Sequence, residues 1–427
     1  MDRHMTVPYV AAPIHVQPVP PVPPVPPTCT TRSSWDEAEA SRAVAARRSA
    51  FPGLERLGTL SGVILVKLAV FVLGAGVVVR TIFSAIRVFV LPRGSNELIA
   101  RVVFIRMRQL FGLFIPPTKP YAFRDTVLAY LAPVSLLVLP VAWLALVLIG
   151  YSCIFWALGV EPASEAVRVS GSSLLTLGFA PTGGMAEDLA AFSEAGIGLL
   201  LLALLIAYLP TMYASFSRRE LAVNLLEVRA DSPPSAVAML QRFHRLGTMD
   251  HLHGQFEVWE SWFADIEESH TSLGALPFFR SPQRDHSWVN AAGAIMDGAA
   301  LYRSLIDAPR DVQADLTIRA GYLALRRIAD FLRIPYDHDP GPDTPCSVSR
   351  EDFDIACDEL AASGVPLKAD RDQAWRDFRG WRVNYDQTLL ALAARTMAPP
   401  ARWNGRPWEV IEPVNPARTR PFPPKAG

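Results

Sequence analysis

The sequence predicts an all-α protein, with membrane-spanning helices in its first half and a soluble helical domain after them. Long apolar runs concentrate between about Leu60 and Phe216 and raise the mean hydropathy to +0.21. Beyond Arg218, apolar residues recur with the period of helices packed on one face. No stretch alternates apolar and polar residues for long enough to read as a half-buried strand. The resulting order is a proline-rich tail with a short helix (1–56), a first span with a basic connector (57–125), a second membrane domain (126–217), a cytoplasmic helical domain (218–399) and a proline-rich tail (400–427).

At the N-terminus, the tract from Gln17 to Pro27 is built on Pro-Val-Pro repeats. Proline lacks an N–H and fixes φ, so polyproline II is expected there. Ser34 to Arg48 suits a short helix with a serine cap. The first apolar run, Leu60 to Val79, is about 20 residues long, enough for a bilayer core. Lys67 interrupts it and is expected to snorkel or to face other protein. This run either spans or turns back as a hairpin, which leaves the side of the N-terminus open. From Arg80 to Arg124 seven arginines and Lys119 face one acid, Glu97. The segment Leu98–Arg108 carries three arginines and reads as an amphipathic helix on the inner membrane surface.

The second run, Thr126 to Val160, holds no charge and contains Pro133 and Pro140, which are expected to kink it. The third, Ala195 to Phe216, is also uncharged and ends at Arg218-Arg219-Glu220. The connection between them carries Glu161, Glu165, Glu187, Asp188 and Glu194 against Arg168 alone. Basic ends belong in the cytoplasm, so the connection is expected outside and the C-terminal domain in the cytoplasm of a cell inner (plasma) membrane.

In the C-terminal half, Pro233-Pro234 opens a helix, and Trp259, Trp262, Phe263 and Ile266 share one helical face. That aromatic face reads as core. The segments Ala291–Ile306, Leu316–Leu332, Asp352–Ala361 and Asp370–Ala398 repeat the amphipathic pattern.

Charge and motifs exclude several functions. Lysine plus arginine total 41, as do aspartate plus glutamate, so no nucleic-acid partner is expected. Cys29, Cys153, Cys346 and Cys357 match no zinc spacing and read as free thiols. His251, His253, Glu257, Glu260 and His270 lack a His-Glu-x-x-His pattern; only His253 and Glu257 have helical ligand spacing. Ser269-His270 and Asp285-His286-Ser287 come without a nucleophile elbow, and no phosphate-binding or dinucleotide loop occurs. No enzyme and no cofactor are expected. Met1-Asp2-Arg3-His4 opens no signal peptide, so membrane entry is expected to rest on the internal spans.

Between the second and third runs lies Ser170-Gly171-Ser172-Ser173-Leu174-Leu175-Thr176-Leu177-Gly178-Phe179-Ala180-Pro181-Thr182-Gly183-Gly184. The order span, short helix, threonine-glycine turn, span resembles the pore module of potassium-channel-type ion channels. The resemblance covers about Thr126 to Glu220. It implies a re-entrant pore loop, with Ser172 and Ser173 on the pore helix and Thr176, Leu177, Gly178, Phe179 and Ala180 in the filter. Backbone carbonyls there replace the water around a potassium or other monovalent cation. Gly196, Gly198 and Pro210 take the place of a gate hinge in the inner helix. The family's second filter glycine is Ala180 here, followed by Pro181, so the resemblance implies a cation pore and leaves its selectivity open. One pore segment cannot close a four-fold filter, so a homotetramer is implied, held in membrane lipid. The soluble domain would gate or assemble it, under an unidentified cytoplasmic ligand. A second set of segments, Ser217–Glu220, Trp259–Phe263 and Phe278–Pro282, is similar to bacterial ion-channel-like membrane proteins and brings no activity with it. The alternative is a membrane-anchored sensor or interaction protein that conducts nothing.

Overall fold

A computed structural model describes residues 52–89, 97–115, 120–341 and 344–403, with side chains from Gly62 onward. The tract Gln17–Pro27, the helix expected over 34–48, Cys29 and most of the C-terminal tail lie outside the described residues. The chain divides into two compact units, Met1–Leu65 and Val66–Gly427. In the first, the described residues are helical. The second holds all the side-chain contacts discussed below. Every regular element among the described residues is a helix, and the one strand-type pairing is an isolated bridge between Ile306 and Leu367.

Three stretches are long and apolar enough to cross a membrane, Gly62–Phe89, Tyr121–Leu158 and Met185–Ala230, which marks the chain as a membrane protein. Helix α1 (Pro52–Phe89) is continuous, so the first run does not turn back as a hairpin. Helix α2 (Leu98–Leu113) carries the basic segment, with Ile99, Ala100 and Val103 packed on the apolar cluster of the spans. The second run is divided into α3 (Tyr121–Ala129) and α4 (Leu131–Leu158). Pro133 has no N–H to give Ala129, and the helix breaks at Tyr130. Pro140, by contrast, is carried inside α4.

Helices α1 and α4 run antiparallel. Lys67 Nζ is 3.0 Å from Glu161 Oε1 at one end, and Trp143 Nε1 donates to Ser84 Oγ at 3.2 Å toward the other. Between these points Gly74 and Gly150 face each other. A Cβ on Gly74 would lie 2.5 Å from the Gly150 carbonyl oxygen, so neither position admits a side chain. Without a hydrophobic force between helices in lipid, such small-residue contacts are what lets two spans approach.

After Leu158 come α5 (Ala163–Leu174) and α6 (Met185–Ala230). The third apolar run is only part of α6, whose 46 residues extend about 69 Å at 1.5 Å per residue. That is more than twice a bilayer core. Its last turns supply Val223, Leu226 and Ala230 to the large C-terminal core.

That core gathers α7 (Ala236–Arg245), α8 (Leu252–Ser272), α9 (Trp288–Ser304), α10 (Val312–Leu332), α11 (Arg350–Ala362), α12 (Arg371–Arg382) and α13 (Asp386–Thr396). Helix α9 is its axis and is buried on nearly all sides. The face Trp259, Trp262, Phe263 and Ile266 is buried in it. The amphipathic stretch expected over 370–398 is two helices, interrupted at Val383–Tyr385. In the core, Arg382 reaches Asp297 of α9 and Asp386 of α13, the latter at 2.8 Å. Tyr385 donates to Asp297 at 2.8 Å, and Ser347 N donates to Asp386 Oδ2 at 2.9 Å.

Candidate functional site

Helix α5 sits against both α4 and α6, and its register with α6 defines the site. Ser170 Oγ donates to Glu194 Oε1 at 2.6 Å, and one turn later a Cβ on Gly198 would lie 2.3 Å from the Leu174 carbonyl oxygen. Ser170 with Leu174 on α5 thus matches Glu194 with Gly198 on α6, and the two helices run parallel. Gly198 lies 13 positions after Met185, about 20 Å along the helix. The C-terminus of α5 is level with that point. The segment 175–184 then leads back to the start of α6.

This segment folds onto the end of α5. Thr176 N donates to Ser173 O at 3.0 Å, Leu177 N to Ser172 O at 2.8 Å and Gly178 N to Ser172 O at 3.4 Å. Ser172 Oγ accepts from Phe179 N at 3.0 Å and from Ala180 N at 3.1 Å. All five N–H groups of 176–180 are therefore turned toward α5. Among the described residues no donor reaches the carbonyl of any of the five. Thr176 and Gly178 have positive φ, +53° and +68°, which glycine tolerates and threonine adopts at a cost. Leu177 and Phe179 are 61% and 54% exposed.

Of the five expected filter residues, all lie in this one turn, with Ser172 beneath them. Ser173 instead donates to Val169 O within its own helix, at 3.0 Å. Gly196 and Pro210 are exposed on α6, and the helix continues through both. Gly198 is buried against the Leu174 carbonyl, where α6 has no room for a side chain.

The acids of this region have separate roles. Glu161 pairs with Lys67, Glu165 with Arg168 at 3.3 Å, Glu187 accepts from Gly183 N at 2.6 Å, and Asp188 accepts from the Thr182 hydroxyl. Glu194, expected with them at an outer mouth, is instead 0% exposed between α5 and α6. Its Oε2 has no hydrogen-bond partner among the described residues. Beside it, Tyr151 and Ser193 hydroxyls are 2.8 Å apart. Sequence reasoning missed the link between Ser170 and Glu194. The available signal was the i, i+4 spacing of Glu194 and Gly198, an acid and a small residue on one face at the mouth of an apolar run.

At the other end of α6, Arg219 is fully buried. Its guanidinium donates to Glu220 Oε1 at 2.8 Å, to Leu276 O at 3.0 Å and to Phe279 O at 2.8 Å, and lies 3.4 Å from His270 Nε2. Burial, and after it the Arg219 charge, hold the His270 pKa well below the ordinary histidine value. Arg280, in the same loop, pairs with Asp125 of α3 and donates to Thr396 O and Met397 O, each at 3.0 Å. The loop 273–281 therefore fastens the last span, the foot of the second span and the end of α13 to one another. His253 is not part of any such cluster; its Nδ1 is 3.0 Å from Asp311 Oδ1. Among the described residues no three metal-ligating side chains converge.

No protein-family model, curated protein or solved structure matches the chain.

Proposed function

We propose that the protein is an oligomeric cation channel in which α5 and the segment 175–184 form a re-entrant pore loop. Four copies would arrange the carbonyls of Thr176 to Ala180 around a common axis. The observation that carries this reading is the pairing of place, at the mouth of the apolar run of α6, with orientation. The C-terminus of α5 is level with Gly198, three residues past the start of the apolar run of α6, and non-helical backbone follows it. Non-helical backbone entering the apolar layer there is tolerated only where it is buried in protein or lines water. The N–H groups there are satisfied by α5, while the carbonyls remain free to replace the water shell of a cation. The C-terminal end of α5 adds the negative end of its dipole to the same place.

Three further features support the reading. Exposed Leu177 and Phe179 would be covered by neighbouring copies. The basic residues flanking the spans favour the inner face of a plasma membrane for the C-terminal helical portion, which becomes its cytoplasmic domain. The loop 273–281 ties that domain to two spans, so a change in its packing would bear on the pore.

Leu177→Cys tests the reading by access. A cationic thiol reagent added to proteoliposomes should reduce potassium flux through Leu177→Cys to the level of empty vesicles. The wild type, and a control with Val258→Cys at an exposed position of α8, should be unaffected. Undiminished flux after complete labelling at Leu177→Cys would remove 175–184 from the conduction path.

A further inference from the structure

We infer that the protein binds one anionic phospholipid where the spans meet the C-terminal helical portion, with an acyl chain in an apolar cavity and the headgroup phosphate among its rim arginines. The cavity measures about 760 Å³ and lies between α2, the first half of α4, α6 and the ends of α8 and α10. That is within the usual range of small-ligand sites, roughly 300–1,000 Å³. Its wall is formed by Phe104, Leu136, Leu139, Tyr208 and Phe331, and most of its surface is apolar.

The rim is strongly cationic. Arg101 and Arg108 from α2, Arg333 after α10 and Arg395 from α13 all border the cavity. Among the described residues none of the four forms an ion pair. The single acid at the border, Glu97, faces Arg87 at 3.6 Å. Desolvation, and after it the charge of Arg108, lowers the Arg395 pKa from its ordinary value, as expected of two like charges held together without a counter-ion. An apolar chamber lined by two membrane helices and edged by uncompensated guanidiniums is complementary to an amphiphile with a phosphate head. Arginine favours phosphate by its forked donors, and basic pockets beside spans select anionic lipids. The inference depends on the chain lying in a membrane and not on ion conduction, so either can fail alone.

The test is equilibrium binding to the full chain in neutral detergent, with phosphatidylglycerol and phosphatidylcholine of equal chain length and with glycerol 3-phosphate as the soluble anion. The wild type should prefer phosphatidylglycerol. Arg101→Gln, Arg108→Gln and Arg395→Gln combined should weaken that lipid by about a hundredfold and bring it level with phosphatidylcholine. All three arginines are exposed, so helix content by circular dichroism should not change. Equal binding of the two lipids by the wild type, or a preference for phosphatidylglycerol that survives the triple substitution, overturns the inference. Glycerol 3-phosphate displacing the lipid at equal concentration would also overturn it, by identifying the ligand as a soluble anion.

Discussion

Arg382→Met is expected to destabilise the C-terminal helical portion by about 3–5 kcal/mol, the typical cost of leaving buried charge unpaired. Arg382 is fully buried and joins Asp297 of α9 to Asp386 of α13, and its Nη2 also donates to Trp403 O at 2.6 Å. Methionine keeps much of the volume and none of the donors, so two carboxylates would face each other in the core. At this domain size the loss corresponds to a fall in Tm on the order of 10 °C, readable as thermal loss of helix content in detergent. Replacing both aspartates by leucine in the same background should recover part of the loss, because an apolar trio is tolerated where a broken ion network is not. Recovery stays incomplete because Ser347 and Tyr385 lose their acceptors. A triple variant less stable than Arg382→Met alone would show that packing at this site, and not unpaired charge, sets the cost.

Arg219→Ala is expected to cost a similar amount, again about 3–5 kcal/mol, and to act at a different place. The substitution strands Glu220, 4% exposed, and frees the carbonyls of Leu276 and Phe279 from the end of α6. The helix then loses its polar attachment to the loop 273–281 and keeps only the packing of Tyr208, Met212 and Phe216 on it. Limited proteolysis should show the change, with cleavage between 273 and 285 accelerated in Arg219→Ala and the Arg280 contacts weakened in turn. Arg219→Lys should rescue only in part, since lysine keeps the charge but cannot reach Glu220 and two carbonyls with one planar group. Wild-type stability and wild-type cleavage in Arg219→Ala would mean that α6 is held by apolar packing alone.

How much of this was legible depends on the reach of the interactions. The spans and the aromatic face of α8 were legible because periodicity and run length are local. The place of Thr176 to Ala180 between two spans was legible for the same reason. The break at Val383–Tyr385 was not. Local pattern favours one helix, and Asp297, the residue that holds Arg382 at the break, lies 85 positions earlier. Glu194 read as a surface acid because its neighbours at 187 and 188 are surface acids, whereas Ser170, 24 positions away, draws it inside. Arg280 likewise shows its meaning only through Asp125, 155 positions earlier. The extension of α6 past Phe216 into the core was hidden by the charges at 218–220.

The most direct measurement is potassium and sodium flux in proteoliposomes containing the purified protein, wild type against Gly178→Ala. Gly178 has φ +68°, and a Cβ there would meet nothing within 4 Å in a single chain. The substitution therefore strains the turn 176–180 by about 1–2 kcal/mol without disturbing the fold. A conducting filter at Thr176–Ala180 gives cation flux in the wild type and none in Gly178→Ala at equal protein incorporation. Flux that is the same in both would contradict it and place the conduction path elsewhere.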